Sequence, residues 1–193
     1  MKVCVFGAAS SAIDKSYIEA IEHLGEALAK RGHSLVFGAG GNGLMGAAAR
    51  GIHKGNGKVT GIVPAFFRDE AIEELYEKCD ELIFTDTMAD RKSKMEDLAD
   101  AFITVPGGIG TFEEFFQVLT LKQLARHTKP IALFDVNKYY YELNDFLSLS
   151  VKEKFINQEC YDLYFYSDKI DEILDYIEKG ESAKKDVHEL KLG

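Results

Sequence analysis

The chain has 193 residues, 46% of them hydrophobic, and a formal net charge of -9. That is enough apolar material for one well-buried core. It is far more than a disordered chain carries, and the acidity argues against a broad nucleic-acid footprint, which needs basic surface to neutralise phosphates. The opening MKVCVFG has neither the apolar stretch of a signal peptide nor that of a membrane span, so the expected setting is cytoplasmic with no membrane partner.

Residues 2–6 form a short apolar run that ends in Gly7-Ala8-Ala9-Ser10-Ser11, a strand followed by small residues that let the backbone approach a ligand. Cys4 lies inside this run and reads as a buried thiol; Cys79 and Cys160 are far from it, and no C-x-x-C metal spacing occurs. In residues 16–31, Ile18, Ile21, Leu24 and Leu28 recur at helical spacing, and Gly32 is the stop. A strand at 34–37 leads into GAGGNGLMG (38–46) and an Ala-rich helix at 47–53. A strand at 59–63 closes on Pro64, and 65–80 is acidic and mixed, a loop with a short helix. A strand at 81–85 precedes an amphipathic helix at 88–100, where Arg91, Lys92 and Lys94 lie between Met88, Met95 and Leu98. The remaining expectations are strands at 101–105, 130–134 and 163–166 and helices at 110–126, 139–155 and 170–177.

Strands alternating with helices imply an α/β domain over residues 1–180, with a mostly parallel sheet of about seven strands covered on both faces. The tail ESAKKDVHELKLG (181–193) is polar and suits fraying or a partner contact better than chemistry. Ligands of such sheets bind where strands turn into helices at their carboxyl ends.

The most informative of these turns is PGGIGTFEE. Pro106 ends a β-run, Gly107, Gly108 and Gly110 permit positive φ, and Thr111 to Glu114 open a helix whose N–H groups and dipole favour an anion, phosphate above all. A plain capped turn is the bland alternative; three glycines in four residues, then a hydroxyl and two carboxylates, favour function. In GAGGNGLMG, Gly38, Gly40 and Gly43 fit the dinucleotide pattern G-x-G-x-x-G, but they follow the second strand and the next strand ends without an acid. Tight helix packing or a second ligand-facing loop explains them better. Asp90, Arg91 and Lys92 at a helix start suit a solvated face or a ligand site equally. None of the five histidines has a carboxylate or serine motif close to it in sequence, so each reads as structural, and Tyr139-Tyr140-Tyr141 reads as core or dimer surface.

GAGGNGLMG, MADRK (88–92) and PGGIGTFEE together, in this order, resemble the LONELY GUY family of cytokinin riboside 5′-monophosphate phosphoribohydrolases, often mislabelled lysine decarboxylases. The resemblance implies a Rossmann-like three-layer homodimer that hydrolyses the N-glycosidic bond of an AMP-like nucleotide without metal or organic cofactor. It also implies Arg91 and Glu114 as the catalytic pair, with Lys92, Gly107, Gly108, Gly110, Thr111, Glu113, Met88 and Gly40 lining the nucleotide site. Two positions depart from the family pattern: Ala89 stands where His is common, and Ala39 where a third consecutive glycine is common. Ala89 bears on substrate fit rather than hydrolysis. The residue types suit the chemistry, because a carboxylate stabilises oxocarbenium character or activates water, and an arginine holds phosphate or ribose oxygens in a bidentate grip. Two other functions compete: a decarboxylase, which needs a Schiff-base lysine beside the phosphate turn, and a non-catalytic nucleotide carrier, which needs no Arg91–Glu114 pair.

Overall fold

The computed structural model describes residues 1–70 and 74–180, so the tail expected at 181–193 lies outside the described residues. Seven strands run in the order β4-β3-β2-β1-β5-β6-β7. They are β1 (Lys2–Phe6), β2 (Ser34–Phe37), β3 (Val59–Pro64), β4 (Glu81–Thr85), β5 (Ala101–Thr104), β6 (Ile131–Phe134) and β7 (Phe165–Ser167). Every pairing is parallel, so the mostly parallel sheet of the sequence is a wholly parallel one. The helices are α1 (Lys15–Lys30), α2 (Gly43–Lys54), α3 (Ala65–Asp69), α4 (Met88–Leu98), α5 (Ile109–Gln123), α6 (Tyr141–Lys152), α7 (Gln158–Tyr161) and α8 (Ile170–Glu178).

Successive strand residues point to opposite faces, and the two cores follow that period. Val3, Val5, Leu35, Phe37 and Ile103 pack against α1, α2 and α8 through Leu24, Ala48, Ile52 and Ile173. Cys4, Phe6, Val36, Ile62 and Phe102 face the other way, onto Met95 of α4 and Phe115 and Val118 of α5. This is the Rossmann-like three-layer arrangement, and Cys4 is the fully buried thiol its neighbours imply. On the first face α1 and α2 meet through glycines: a Cβ on Gly25 would stand 2.4 Å from the Ala48 carbonyl oxygen, and one on Gly51 2.1 Å from that of Glu22.

The late elements differ from the sequence reading. Tyr139 and Tyr140 precede α6 instead of opening it, because a 3-10 turn at Val136–Lys138 comes first, with Asn137 and Lys138 at φ 54° and 60°. The last strand begins at Phe165, in register with Ala132; Leu163 and Tyr164 are buried in the turn after α7, a helix that the polar stretch before it concealed. Histidines serve the scaffold: the buried His33 bonds Glu178 of α8 at 2.9 Å, and the half-buried His127 bonds the Val118 carbonyl at 2.9 Å. His53 bonds the Tyr76 hydroxyl at 2.9 Å and Asp80 at 3.1 Å. These carboxylates are remote in sequence, which is why no local pairing shows there.

Sheet order reverses at β1, whose neighbours are β2 on one side and β5 on the other. The crevice of a doubly wound sheet opens at that point, above the carboxyl ends of β1 and β5.

Candidate active site

The crevice is built from the turns after β1 and β5. The Ala8 amide donates to the Pro106 carbonyl at 3.1 Å, and Val105 donates to Phe6 at 2.9 Å, so the two turns are tied together at their bases. Beyond Pro106 the chain passes Gly107 and enters α5 with Gly108 as N-cap. Gly108 has no side chain with which to cap the helix, which leaves the first-turn N–H groups to another acceptor. The turn does not use its glycines for positive φ, as the sequence suggested, since among the described residues the glycines with positive φ are Gly32, Gly43 and Gly180. It uses their lack of a Cβ. A Cβ on Gly107 would lie 2.1 Å from the Thr111 hydroxyl, whereas Cβ atoms on Gly108 and Gly110 would enter open space.

That open space is a cavity of about 360 Å³ bounded by Met88, Arg91, Gly108, Gly110, Thr111 and Glu114. Its roof is the 7–10 loop, and Met45 and Phe67 complete it. Glu114 lies one helical turn from Gly110, so i,i+4 geometry aims it at the same opening.

Arg91 reaches the cavity from the first turn of α4. Thr87 caps that helix, its hydroxyl accepting from the Asp90 amide at 3.1 Å and donating to the Asp90 carboxylate at 2.6 Å. Asp90 thus acts as a capping partner. Arg91 is buried, at 6% exposure, which excludes the solvated-face reading of this run for Arg91 itself. Its Nε donates to the Ile62 carbonyl, inside β3, at 3.2 Å and its Nη2 to the Gly38 carbonyl, just past β2, at 3.4 Å. The guanidinium also lies over the Phe67 ring, 5.8 Å from its centre. Nη1 stands 4.0 Å from the Met88 sulfur, a weak acceptor that a phosphate or ribose oxygen would displace. Gly38 permits this seat, since a Cβ there would fall 1.7 Å from Nη2. Below lies Cys4, whose thiol is pushed up by burial and further by the charge of Glu114, while Arg91 pulls the other way.

The predicted residues therefore divide. Arg91, Glu114, Met88, Gly108, Gly110 and Thr111 share one cavity, and Gly107 forms its floor turn. Lys92 and Glu113 pair with each other at 2.5 Å across α4 and α5, beside the cavity and not on its wall. Gly40 pairs its backbone with Leu75, within a loop that is also stitched by Gly41 to Glu74 at 2.7 Å and Tyr76 to Ala39 at 2.8 Å. Gly38 and its neighbours are thus a seat for Arg91 and a packing loop. Ala39, where the family commonly has glycine, is buried at φ 66°, a conformation that glycine adopts without strain. Ala89 is exposed on the first turn of α4.

Tyr139 is the residue that sequence reasoning missed. Its hydroxyl donates to the Gly107 carbonyl at 2.6 Å, and the Tyr140 hydroxyl donates to Val105 at 2.8 Å, so consecutive tyrosines clamp the glycine turn before α5. Asn137, a residue type tolerant of left-handed backbone, was the available signal of a tight turn aiming them. Tyr139 also borders a second lobe of about 300 Å³ lined by Ile13, Tyr17, Leu44, Pro106 and Gly107, which shares Ala8, Ser10 and Gly108 with the first. A larger hollow of about 830 Å³ at the ends of β6 and β7 has Asp135, Asp168, Asp171 and Glu172 against Lys138 and Lys169, a surplus of carboxylates that does not suit a phosphate.

Residues 45–177 match the family model described as possible lysine decarboxylase. Cytokinin riboside 5′-monophosphate phosphoribohydrolase LOG2 of Arabidopsis thaliana is 40% identical over 156 residues, covering 81% of this chain and 72% of that protein. LOG7 of the same plant is also 40% identical, over 81% and 71%, and LOG of Oryza sativa subsp. japonica is 35% identical over 82% and 65%. Among solved structures, the molybdenum cofactor carrier protein of Chlamydomonas reinhardtii aligns with TM-score 0.69 at 19% identity, covering 92% of this chain and 96% of that one. The molybdenum cofactor binding protein of Rippkaea orientalis aligns with TM-score 0.68 at 18% identity, over 92% and 95%. At such identity these two establish the fold alone.

Proposed function

This chain belongs to the family described as possible lysine decarboxylase, together with the cytokinin riboside 5′-monophosphate phosphoribohydrolases it resembles at 40% identity, and from that premise we propose that it is an N-glycosidase. It hydrolyses AMP-like or N6-substituted nucleoside 5′-monophosphates to the free base and ribose 5-phosphate. The observation that carries this is the convergence of Arg91, Glu114 and the N-terminus of α5 on one cavity.

The 5′-phosphate fits the first turn of α5, where backbone N–H groups and the helix dipole favour an anion and Thr111 adds a hydroxyl. With the phosphate there, the ribose lies between Arg91 and Glu114. The Glu114 carboxylate takes a proton from water or stabilises the developing oxocarbenium ion; the water oxygen bonds to C1′, and the C1′–N bond breaks with its electron pair and a proton going to the base. Arg91 is held by two backbone carbonyls rather than by solvent, so it arrives oriented and loses little freedom on binding substrate oxygens. Lys92 and Glu113 support α4 against α5 and meet a substrate from the rim.

The family description also names a decarboxylase. A pyridoxal-type mechanism needs a lysine at the phosphate turn, but the buried lysine Lys122 is in the last turn of α5, roughly 20 Å from Gly108 at helical rise. We further propose that residues 1–180 act as one unit, in the cytoplasm, as a homodimer. Support for the dimer is apolar surface near the site: Ile109 is 87% exposed, and Phe116, two turns on and on the same face of α5, is 37% exposed. Among the described residues no helix is long and apolar enough to cross a membrane.

The test is base release from AMP and N6-isopentenyl-AMP by wild type and Glu114→Gln. A fall of about 10²-fold or more is expected from losing a general base. Equal background rates in the two proteins would return the reading to a carrier.

A further inference from the structure

The two lobes of the crevice meet at Gly108, Ala8 and Ser10, but their walls differ. The first carries the charged pair and the hydroxyl. The second contains none of Arg91, Thr111 or Glu114; its walls are Ile13, Leu44 and Pro106 with two tyrosine rings. Tyr17 and Tyr139 stand edge to face, 6.2 Å between centres and 85° between planes, the arrangement that leaves an aromatic face for a third ring.

The second lobe is held in shape from three sides. Tyr139 is pinned to the Gly107 carbonyl. The turn that delivers it, with Asn137 and Lys138 both in the left-handed region, is fastened to the start of α1 by Asn137 donating to the Ser16 hydroxyl at 2.9 Å. Ser16 is in turn bound by Asp14, which accepts from its amide at 2.9 Å and its hydroxyl at 2.6 Å. Backbone strain at two successive residues persists where surrounding contacts fix it, commonly at ligand sites.

Asp14 is the charged residue of this lobe, and the lining includes no lysine or arginine. A free phosphate is therefore disfavoured there, and a neutral or cationic ring is favoured. In the proposed function the 5′-phosphate occupies the α5 N-terminus at Gly108, the residue both lobes share. A group attached to that phosphate on the side away from the ribose enters the second lobe. We propose that this lobe binds a ring-bearing group esterified to the nucleotide 5′-phosphate, so that the protein takes nucleoside 5′-phosphodiesters as well as monophosphates. This inference rests on the phosphate seat assigned above.

The probes are AMP, its 5′-phosphate methyl ester and its 5′-phosphate phenyl ester, titrated calorimetrically and followed for base release. The two esters carry the same charge and differ in the ring. Wild type is expected to bind the phenyl ester about tenfold more tightly than the methyl ester, the gain of one well-placed aromatic contact with some apolar burial. In Tyr17→Ala, and independently in Ile13→Asp, that ratio should fall to within about twofold while AMP turnover changes by less than about twofold. Equal binding of the two esters by folded wild type overturns the proposal. So does a loss of AMP affinity in both variants as large as the loss for the phenyl ester, since the lobe would then hold part of the monophosphate itself. Discrimination between the esters without base release from AMP would remove the hydrolytic reading and keep the lobe; failure of AMP to bind at all removes both.

Discussion

Replacing Gly38 by alanine adds one methyl group that touches no substrate, yet it strikes the seat of Arg91. The new Cβ would lie 1.7 Å from Nη2 and 2.8 Å from Cζ, where ordinary contact begins at 3.4 Å. The guanidinium must therefore withdraw by an amount comparable to a bond length, losing its bond to the Gly38 carbonyl. A misplacement of about 1 Å in a positioning group costs on the order of 10²-fold in rate, or about 2.7 kcal/mol of transition-state stabilisation. Stability should fall by only about 1–3 kcal/mol, the range for a small-to-large change whose neighbour is a side chain able to move. The assay is kcat/KM for base release from AMP in a cycle of wild type, Gly38→Ala, Arg91→Ala and the double variant. If Gly38 acts through Arg91, the alanine at 38 costs about 10²-fold in wild type and almost nothing once Arg91 is gone. The same loss in both backgrounds would refute the reasoning.

Tyr139→Phe removes the bond to the Gly107 carbonyl, worth about 1 kcal/mol; KM for AMP should rise about fivefold with kcat little changed, and an unchanged KM in steady-state kinetics would count against the clamp. Gly25→Ala pushes a Cβ to 2.4 Å from the Ala48 carbonyl oxygen and 2.9 Å from the Ile52 nitrogen, backbone atoms that cannot swing aside; a loss of about 3 kcal/mol or more, with a Tm drop larger than that of Gly38→Ala, is expected by calorimetry. Glu26 accepts from Lys30 and Lys54, which hold its carboxyl down at about 2, from an ordinary 4.5. Because the folded value is the lower one, its stabilisation is full above 4.5 and is lost as the pH falls to about 2. Denaturant midpoints of wild type and Glu26→Gln should accordingly differ at pH 7 and converge near pH 2.

Repeating patterns made the scaffold legible. In the first half the short apolar runs are so clearly bounded by turn residues that β2 and β4 begin and end where the sequence reading puts them, and Gly32 follows α1 as its stop. The later boundaries differ because tertiary contacts override local pattern: Tyr139 and Tyr140 look like helix-opening residues but are drawn down onto the glycine turn before α5 by hydrogen bonds to residues more than 30 positions away. The site was legible as motifs and not as a seat. PGGIGTFEE announces a helix N-terminus, but its glycines provide clearance where the sequence implies backbone freedom. The glycine at 38 belongs to a motif that looks like a nucleotide loop, and only the arrival of Arg91 from 53 residues away explains it.

That separation has a consequence for when activity appears. β1 pairs with β5, Val3 against Ala101, and the seat of Arg91 joins β3 and the end of β2 to α4. Such contacts close long loops of chain, a slow step in folding, and the β1–β5 pairing under the crevice does not exist in a nascent polypeptide that stops short of residue 101. Catalysis should therefore be among the last properties recovered on refolding, after helical signal has returned, and a truncated or nicked chain that keeps much of its helix should already have lost turnover.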